Sequence, residues 1–370
     1  MGQPLPIVID GSLGEGGGQA LRTALPLSAI TGRAFGIHRI RAGAPEPGLL
    51  PRDVSLVRAV AGLCGADLTG AEPGSTRLEF RPREKVEAGE RTIDLAGAGS
   101  APLLLQTLSW PLALAGGPSR LTLRGATHLR GAPTFHDLAL VWAPAVARLG
   151  FGVELGLQEA AFAADGAGSM TADIRPAHPM PPLDLRHRGM LRDAEVVAVV
   201  GGMGFDVAER LAASTLRRLR DAGVAAEATR LPVPSRGAAG CQVMVVAQFD
   251  RTRGGSGAVG APGDPPDKVA ETAVRAFDGF LRGGAALDRF LGEQLVLPAA
   301  LAASGRVALP GLVPATRYTV ASVTGHLLTA AEVARRFLDV EVSVLGGEGT
   351  EGEVRIQPPG GGAEVVALRG

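Results

Sequence analysis

The segment Thr324-Gly325-His326-Leu327-Leu328-Thr329 hands a single imidazole to the start of an expected helix running from Ala330 to Phe337. Gly325 marks the turn, and Leu327, Leu328, Val333 and Phe337 recur near helical spacing. They are expected to face a core, which leaves His326 at the exposed mouth of the helix. A neutral imidazole keeps a lone pair near neutral pH. It can attack an electrophilic phosphorus and hold a nucleotidyl group as a phosphoramidate, splitting one difficult transfer into two easier ones. A capping or core histidine gives the same local pattern, so the rest of the chain has to decide between them.

A second feature lies near the N-terminus. Pro6-Ile-Val-Ile-Asp10 reads as a short strand, and Gly11-Ser-Leu-Gly14-Glu15-Gly16-Gly17-Gly18-Gln19 as a tight loop opening a helix from Ala20 to Thr31. Such a loop lets backbone N–H groups approach an anion, and Glu15 at its centre could hold a divalent metal against a triphosphate. A purely structural turn would use the same glycines. The loop is not a dinucleotide fingerprint, because Gln19 stands where a glycine is required. Arg22, Arg39, Arg41 and Arg52 crowd the same unit. Arginine makes planar, bidentate contacts with phosphate oxygens, although a solvated arginine face would look alike. Lys85 and Lys268 are the only lysines, and neither lies in a GxxxxGK loop or a lysine nucleotidyl-transfer motif. A covalently carried nucleotide therefore points to histidine.

These residues need elements to hold them. After the first helix come a strand near Phe35 to Ile40, a helix from Leu49 to Cys64, and strands Asp67 to Thr69 and Thr76 to Phe80. The same order returns from Thr92 to Ile174, and a third pass begins after residue 280 with a helix Glu293 to Ala303 and a strand near Tyr318 to Val323. The exits rhyme as Phe80-Arg-Pro, Ile174-Arg-Pro and Ile356-Gln-Pro. The pattern is a threefold βαβαββ repeat in an α/β (α+β) fold. A segment from about Pro182 to Phe277 does not fit and reads as an inserted small α/β domain: strand Glu195 to Val200, helix Asp206 to Ala222, strands Ala225 to Leu231 and Cys241 to Phe249, and a helix from Asp267. Its Gly/Pro-rich stretch Arg253 to Pro266 is expected to be a flexible hairpin or loop.

Composition narrows the classes. A chain of 370 residues suggests two domains or a repeated architecture. Hydrophobic residues at 46%, charged residues at 20% and a mean hydropathy of +0.19 describe a globular protein. Lys+Arg and Asp+Glu are balanced at 37 each, so a polyanion must be met by a local patch rather than a global field. Cys64 and Cys241, far apart and without metal-ligand spacing, suggest a reducing, cytoplasmic setting and no cysteine-based zinc site. No targeting segment is read at the N-terminus. The most apolar stretch, Ala101 to Gly116, is broken by Gln106, Ser109 and Pro111 and is expected to be a buried helix, with no membrane partner.

Taken together, Gly14-Glu-Gly-Gly-Gly-Gln-Ala-Leu-Arg22, Ile40-Arg-Ala-Gly-Ala-Pro-Glu-Pro-Gly-Leu-Leu50, Gly99-Ser100 through Gln106-Thr107, Gly125-Ala-Thr-His128 with Ala132-Pro133, Glu293-Gln294-Leu-Val-Leu-Pro298 and Gly325-His-Leu-Leu-Thr329 closely resemble the RNA 3′-terminal phosphate cyclases. The strings fall in family order over nearly the whole chain. The resemblance implies a large domain of three repeats (1–181 and 278–370) and an inserted thioredoxin-like domain (182–277). It also implies ATP as substrate, Mg2+ or Mn2+ as the metal, and an RNA bearing a 3′-terminal phosphate as partner. In the implied reaction His326 is adenylylated, AMP passes to the 3′-phosphate, and the neighbouring 2′-hydroxyl displaces AMP to leave a 2′,3′-cyclic phosphate. By the same resemblance Glu15 matches the metal-binding acid, Gln106, Pro133, Phe290, Glu293 and Gln294 match positions lining an ATP pocket, and Arg22 and Arg41 match arginines near phosphates, with Arg52 beside them.

Some positions depart from the family pattern. Glu293 replaces the usual Asp, Phe290 stands where Tyr or His is common, Ala44 where many members place Arg, and Arg52-Asp53 where Gln-His is usual. The departures at Ala44 and Arg52-Asp53 bear on the RNA-end contacts more than on adenylylation, while those at Glu293 and Phe290 keep an apolar or stacking surface but lose a hydrogen bond. The rival readings are a non-catalytic, ribosome-assembly relative of the same fold, an enolpyruvyl-type transferase, and a plain RNA-end binding protein. His326 and the Glu15 loop argue against the first, the scarcity of lysine against the second, and the balanced charge against the third. A homodimer is the base-rate expectation.

Overall fold

The computed structural model describes residues 5–14, 18–95, 97–307 and 315–360. The chain opens with β1 (Ile7–Asp10), α1 (Gln19–Thr31), β2 (Phe35–His38), α2 (Pro51–Cys64), β3 (Asp67–Thr69) and β4 (Arg77–Arg81). It continues with β5 (Glu90–Asp94), α3 (Ala101–Ala113), β6 (Ser119–Arg124), α4 (Phe135–Asp137), a π-helical turn (Leu138–Trp142), α5 (Ala143–Ala147), β7 (Val153–Glu159) and β8 (Ser169–Ile174). Next come β9 (Leu183–Leu185), β10 (Leu191–Gly201), α6 (Phe205–Asp221), β11 (Glu227–Pro232), β12 (Gly240–Phe249), β13 (Arg253–Gly260) and α7 (Pro266–Arg282). The remaining elements are α8 (Arg289–Gln294), α9 (Val296–Ala303), β14 (Thr316–Val320), α10 (Gly325–Phe337), β15 (Glu341–Leu345) and β16 (Gly352–Gln357).

The described residues form four mixed sheets, a mixed α/β architecture. Three share one pattern: the orders β1-β2-β4-β3, β5-β6-β8-β7 and β9-β14-β16-β15 each begin with a parallel pair and close with antiparallel ones. The first strand of the third such sheet is β9, which pairs Thr316 with Leu183 and Tyr318 with Leu185. A boundary at residue 182 therefore cuts off a strand that belongs with β14, and the third sheet begins at Leu183, far ahead of its second strand at Thr316, rather than after residue 280. Strands such as β8 and β14 bury alternate residues, the signature of a sheet with one face against helices.

In the fourth sheet, β11-β10-β12-β13, the central strands β10 and β12 are buried on both faces. Val196, Ala198, Val200, Val243 and Val245 pack with α6 and α7 in one core, while Val197, Val199, Met244 and Val246 join the main core. Successive side chains of a strand point to opposite faces, so this sheet has α6 and α7 on one side and the rest of the molecule on the other. The expected flexible stretch from Arg253 is instead β13, paired with β12 from Gln248↔Arg253 to Cys241↔Gly260. Its glycines allow close packing: a Cβ on Gly254 would come within 2.9 Å of the Phe280 ring, and one on Gly255 within 3.2 Å of Val141.

Two local features shape the helices. The helical run that starts at Phe135 is interrupted by a π-turn, because Pro144 has no N–H to give and the Ala143 N–H reaches back to the Leu138 carbonyl, an i to i−5 bond. At the end of α7, Arg188 donates to the carbonyls of Phe280, Leu281, Gly283 and Ala285 at 2.6–3.1 Å and lies between the Phe249 and Phe280 rings. It closes the helix whose last carbonyls have no intrahelical partner.

α8 is held to the third sheet by one bond, from the fully buried Tyr318 hydroxyl to the Gly292 carbonyl at 2.8 Å. Removing the hydroxyl strands that carbonyl in the core. Tyr318→Phe is predicted to lower stability by about 1–2 kcal/mol, read as a shifted urea midpoint with unchanged slope. An unshifted midpoint would show that water or relaxation satisfies the carbonyl.

Candidate active site

His326 occupies the first turn of α10, which begins at Gly325 rather than Ala330. Thr324 caps the helix, its hydroxyl oxygen accepting from the Leu327 N–H at 3.1 Å. The same hydroxyl donates to Glu293 Oε2 at 2.9 Å, and that oxygen lies 3.6 Å from His326 Nδ1. The imidazole is about one-third exposed (32%) and Glu293 largely shielded (15%). Leu327, Val333 and Phe337 face the core as expected, but Leu328 is 38% exposed, because it sits one position round from Leu327 on the helix.

The N-terminal glycine loop reaches this helix. Gly14 has φ of +59°, and a Cβ there would stand 2.4 Å from Thr329 Oγ1 and 2.7 Å from the Gly325 carbonyl oxygen, so only glycine fits. Gly18, at the other end of the loop, opens α1; a Cβ there would come within 2.9 Å of Arg22 and 3.2 Å of Asp53. Glu15 lies between them, outside the described residues.

A cavity of about 930 Å3 runs from His326 across α1, α3 and α8 to the edge of the fourth sheet. Arg22, Arg41, Arg52, Gln106, Pro133, Phe290, Glu293, Gln294 and His326 all line it. Every site residue implied by the family resemblance other than Glu15 is thus on one wall or another, whereas Arg39, grouped with the other arginines from the sequence, is not and pairs with Asp10 at 3.0 Å. Burial pulls the Arg22 guanidinium below the usual arginine range, with the nearby Arg52 adding to this, while the charges of Glu293 and Asp53 oppose it. Its Nη2 donates to Gln19 Oε1 at 2.8 Å. Arg41 holds φ of +53°, a left-handed conformation that costs a non-glycine residue about 1 kcal/mol or more and that turns the chain at the cavity rim. Gln106 reaches the cavity from α3 with its Nε2 buried and unpaired among the described residues. Phe290 is half exposed (51%) at the rim, with the Arg289 guanidinium 4.4 Å from its ring centre. Among the described residues no three His, Cys, Asp or Glu side chains converge in a metal-ligand cluster.

Part of the wall is not foreseen from the sequence. Asp137, Trp142, Gln242, Asp288 and Lys268 line the cavity too, and three of them come from elements around the fourth sheet and α8. Only Asp288 leaves a local signal, as an N-cap before Arg289-Phe-Leu. Its Oδ1 accepts from the N–H groups of Phe290 and Leu291, both at 2.9 Å. Burial pushes the Asp288 carboxyl up to about 6, against the N–H groups of Leu291, Phe290 and Gly255, and the neighbouring Asp137 adds to the rise. A carboxyl whose folded pKa lies above its unfolded one contributes stability that is whole below about pH 4 and lost as pH rises through about 6. Asparagine keeps the cap without the charge. Asp288→Asn is therefore predicted to gain about 2–3 kcal/mol on the parent chain between pH 4 and pH 7, measured by paired denaturation curves. A pH-independent difference would contradict the assignment.

A family model described as RNA 3′-terminal phosphate cyclase matches residues 13–344. The RNA 3′-terminal phosphate cyclase of Methylococcus capsulatus is 39% identical over 355 residues, covering 94% of this chain and 95% of the relative. Those of Koribacter versatilis and Gloeothece citriformis are 37% and 34% identical, covering 91% and 89% of this chain and 91% and 93% of the relatives. A family match spanning the glycine loop, the cavity and the His326 helix, with relatives alike from end to end, means that the chain belongs to the RNA 3′-terminal phosphate cyclase family.

Proposed function

We propose that the chain converts an RNA 3′-terminal phosphate into a 2′,3′-cyclic phosphate with consumption of ATP, releasing AMP and pyrophosphate. The observation that carries this reading is the shared cavity: a partly exposed imidazole at a helix mouth, a carboxylate at its Nδ1, and arginines on the facing elements. With Nδ1 turned to Glu293, His326 attacks the α-phosphorus of ATP through Nε2. The N–P bond forms, the bond from the α-phosphorus to the bridging oxygen breaks, and pyrophosphate leaves with the electron pair. Glu293 then faces the positive charge that the ring acquires. Gln106, Pro133, Phe290, Glu293 and Gln294 hold the nucleotide, and Arg22, Arg41 and Arg52 meet phosphates. Glu15 would hold a divalent cation, Mg2+ or Mn2+, which neutralises triphosphate charge.

The later steps use the substrate's own geometry. An oxygen of the RNA 3′-phosphate takes the AMP from the imidazole, which activates that phosphate. The adjacent 2′-oxygen is already positioned and closes the ring while AMP departs. The reading extends to the architecture, with 1–181 and 278–370 as a three-repeat body and 182–277 as an inserted thioredoxin-like domain, its start shifted past β9 by the pairing with β14. It extends as well to a homodimer in the cytoplasm. Buried, unbridged Cys64 and Cys241 support a reducing setting, and among the described residues no helix is long and apolar enough to cross a membrane.

Incubation with α-labelled ATP and magnesium is expected to give acid-labile, base-stable protein label, and His326→Ala to lose it by at least about 1000-fold. Label retained in His326→Ala would refute the nucleophile. A strand ending in a 2′-deoxy 3′-phosphate is expected to accumulate as the adenylate without cyclising. A cyclic product from that strand would refute the 2′-oxygen step, and an unlabelled wild-type protein would favour the non-catalytic relative.

A further inference from the structure

The loop between β6 and α4 carries a buried polar chain that the reaction above does not use. Thr127, His128, Thr134, His136 and Gln242 are all at most 6% exposed. Thr127 Oγ1 is 2.8 Å from His128 Nδ1, and His128 Nε2 is 2.8 Å from His136 Nδ1. His136 bonds the Gln242 side chain, whose Nε2 donates to Thr134 Oγ1 at 2.8 Å. The Thr134 N–H donates to Asp137 Oδ2, again at 2.8 Å. Four of the five residues belong to one loop and helix start. Gln242 comes from β12, in the middle of the fourth sheet.

The chain has a direction. Thr127 Oγ1 already accepts the Ala161 N–H at 2.9 Å, and its proton has two outlets: His128 Nδ1 at 2.8 Å and the Ala161 carbonyl at 3.5 Å. The shorter contact takes it. His128 Nδ1 is then an acceptor, so Nε2 carries the hydrogen and gives it to His136 Nδ1. In turn His136 bonds the Gln242 side chain, whose amide nitrogen lies 2.8 Å and amide oxygen 3.1 Å from Thr134 Oγ1. Both rings are neutral and share one tautomer. Added charge on His136 would set two N–H groups against each other across the 2.8 Å contact, and added charge on His128 would set its Nδ1–H against the Thr127 hydroxyl hydrogen. Burial keeps both rings from protonating, holding His128 well below its ordinary value and bringing His136 down to about 4. Phe162 stacks on His128 with ring centres 4.7 Å apart, and Phe135 meets His136 edge-on at 5.2 Å.

The far end of the chain is at the cavity. Gln242, Thr134 and Asp137 line it, as does Pro133 between the loop and α4. The fourth sheet therefore grips the cavity wall through an amide as well as through apolar packing.

We propose that Thr127, His128, His136, Gln242 and Thr134 form a positioning strap that fixes the Pro133–Asp137 wall of the nucleotide cavity, with Gln242 as the point at which the fourth sheet controls that wall. The inference rests on the reading that this cavity takes ATP. None of the strap residues touches the reacting atoms; they act by holding the wall. A fully satisfied buried network fixes one geometry, whereas a broken one leaves polar groups that must find new partners.

The test measures ATP affinity by calorimetry and the ATP dependence of protein labelling in parallel. Gln242→Met removes the amide at similar volume, Thr134→Val removes the last hydroxyl at equal volume, and Thr134→Ser restores it. Gln242→Met and Thr134→Val are expected to raise the dissociation constant and KM for ATP at least about fivefold while the maximal labelling rate stays within about twofold, with Thr134→Ser close to wild type. Variants that lose thermal stability yet keep wild-type ATP affinity would reduce the strap to a structural bond and overturn the proposal; a fall in rate with KM unchanged would do the same. Should Gln242→Met fail to fold, the Thr134 pair decides the question alone. A wild-type protein that binds ATP but takes no label sinks the reading of the reaction and leaves the strap testable by affinity; intact labelling with equal affinities sinks the strap alone.

Discussion

One hydroxyl organises the centre of the molecule. Thr324 Oγ1 accepts from Leu327 and so starts α10, and it donates to Glu293 and so ties that start to α8. Because His326 lies two residues after the cap, its backbone cannot move away from Glu293 without breaking one of these bonds. The tie is only as firm as α8, and α8 is fixed twice more, by Asp288 at its N-terminus and by Tyr318 at Gly292. Gly14 closes the arrangement from the opposite side, since only glycine there allows the N-terminal loop to lie against Gly325 and Thr329.

Charge balance explains how the cavity can be polar and still half enclosed. The chain has no net charge, yet Arg22, Arg41, Arg52, Glu293 and Asp288 are gathered around one space, with Asp53 close behind Arg22. Arg22 shows the tension: burial disfavours its charge, and the Glu293 and Asp53 carboxylates sustain it. Gathering buried charges of both signs around one space costs stability, the usual trade where a fold builds a site. The fourth sheet completes the enclosure by presenting one face to α6 and α7 and the other to the main core.

Much of this is legible in the sequence where the determinants are local. The turn ahead of α10 is written in Thr324-Gly325, although the helix begins at Gly325 and not at the expected Ala330, and the loop ahead of α1 is written in its glycines. The order of helices and strands follows from periodicity in nearly every unit. Legibility fails where structure depends on distant partners. β9 is three residues long and gains its identity from β14, far along the chain. β13 has the composition of a loop and becomes a strand because β12 supplies its backbone bonds, with glycine permitting neighbours to close in. Spacing alone places Leu328 in the core, because it cannot resolve a shift of one position on a helix. The walls built from Asp137, Trp142 and Gln242 carry no motif, since only folding brings them to the cavity, whereas the individual roles of Gln106, Pro133 and Gln294 derive from family resemblance and not from their spacing.

The whole scheme turns on the imidazole of His326 carrying the nucleotidyl group. This is tested by reacting the wild-type protein with ATP and magnesium, digesting it under mildly alkaline conditions, and locating the adduct by peptide mass spectrometry. AMP is expected on the peptide containing His326, joined through the ring. AMP on any other residue, or recovery of that peptide unmodified under single-turnover trapping while cyclic phosphate product forms, would contradict it.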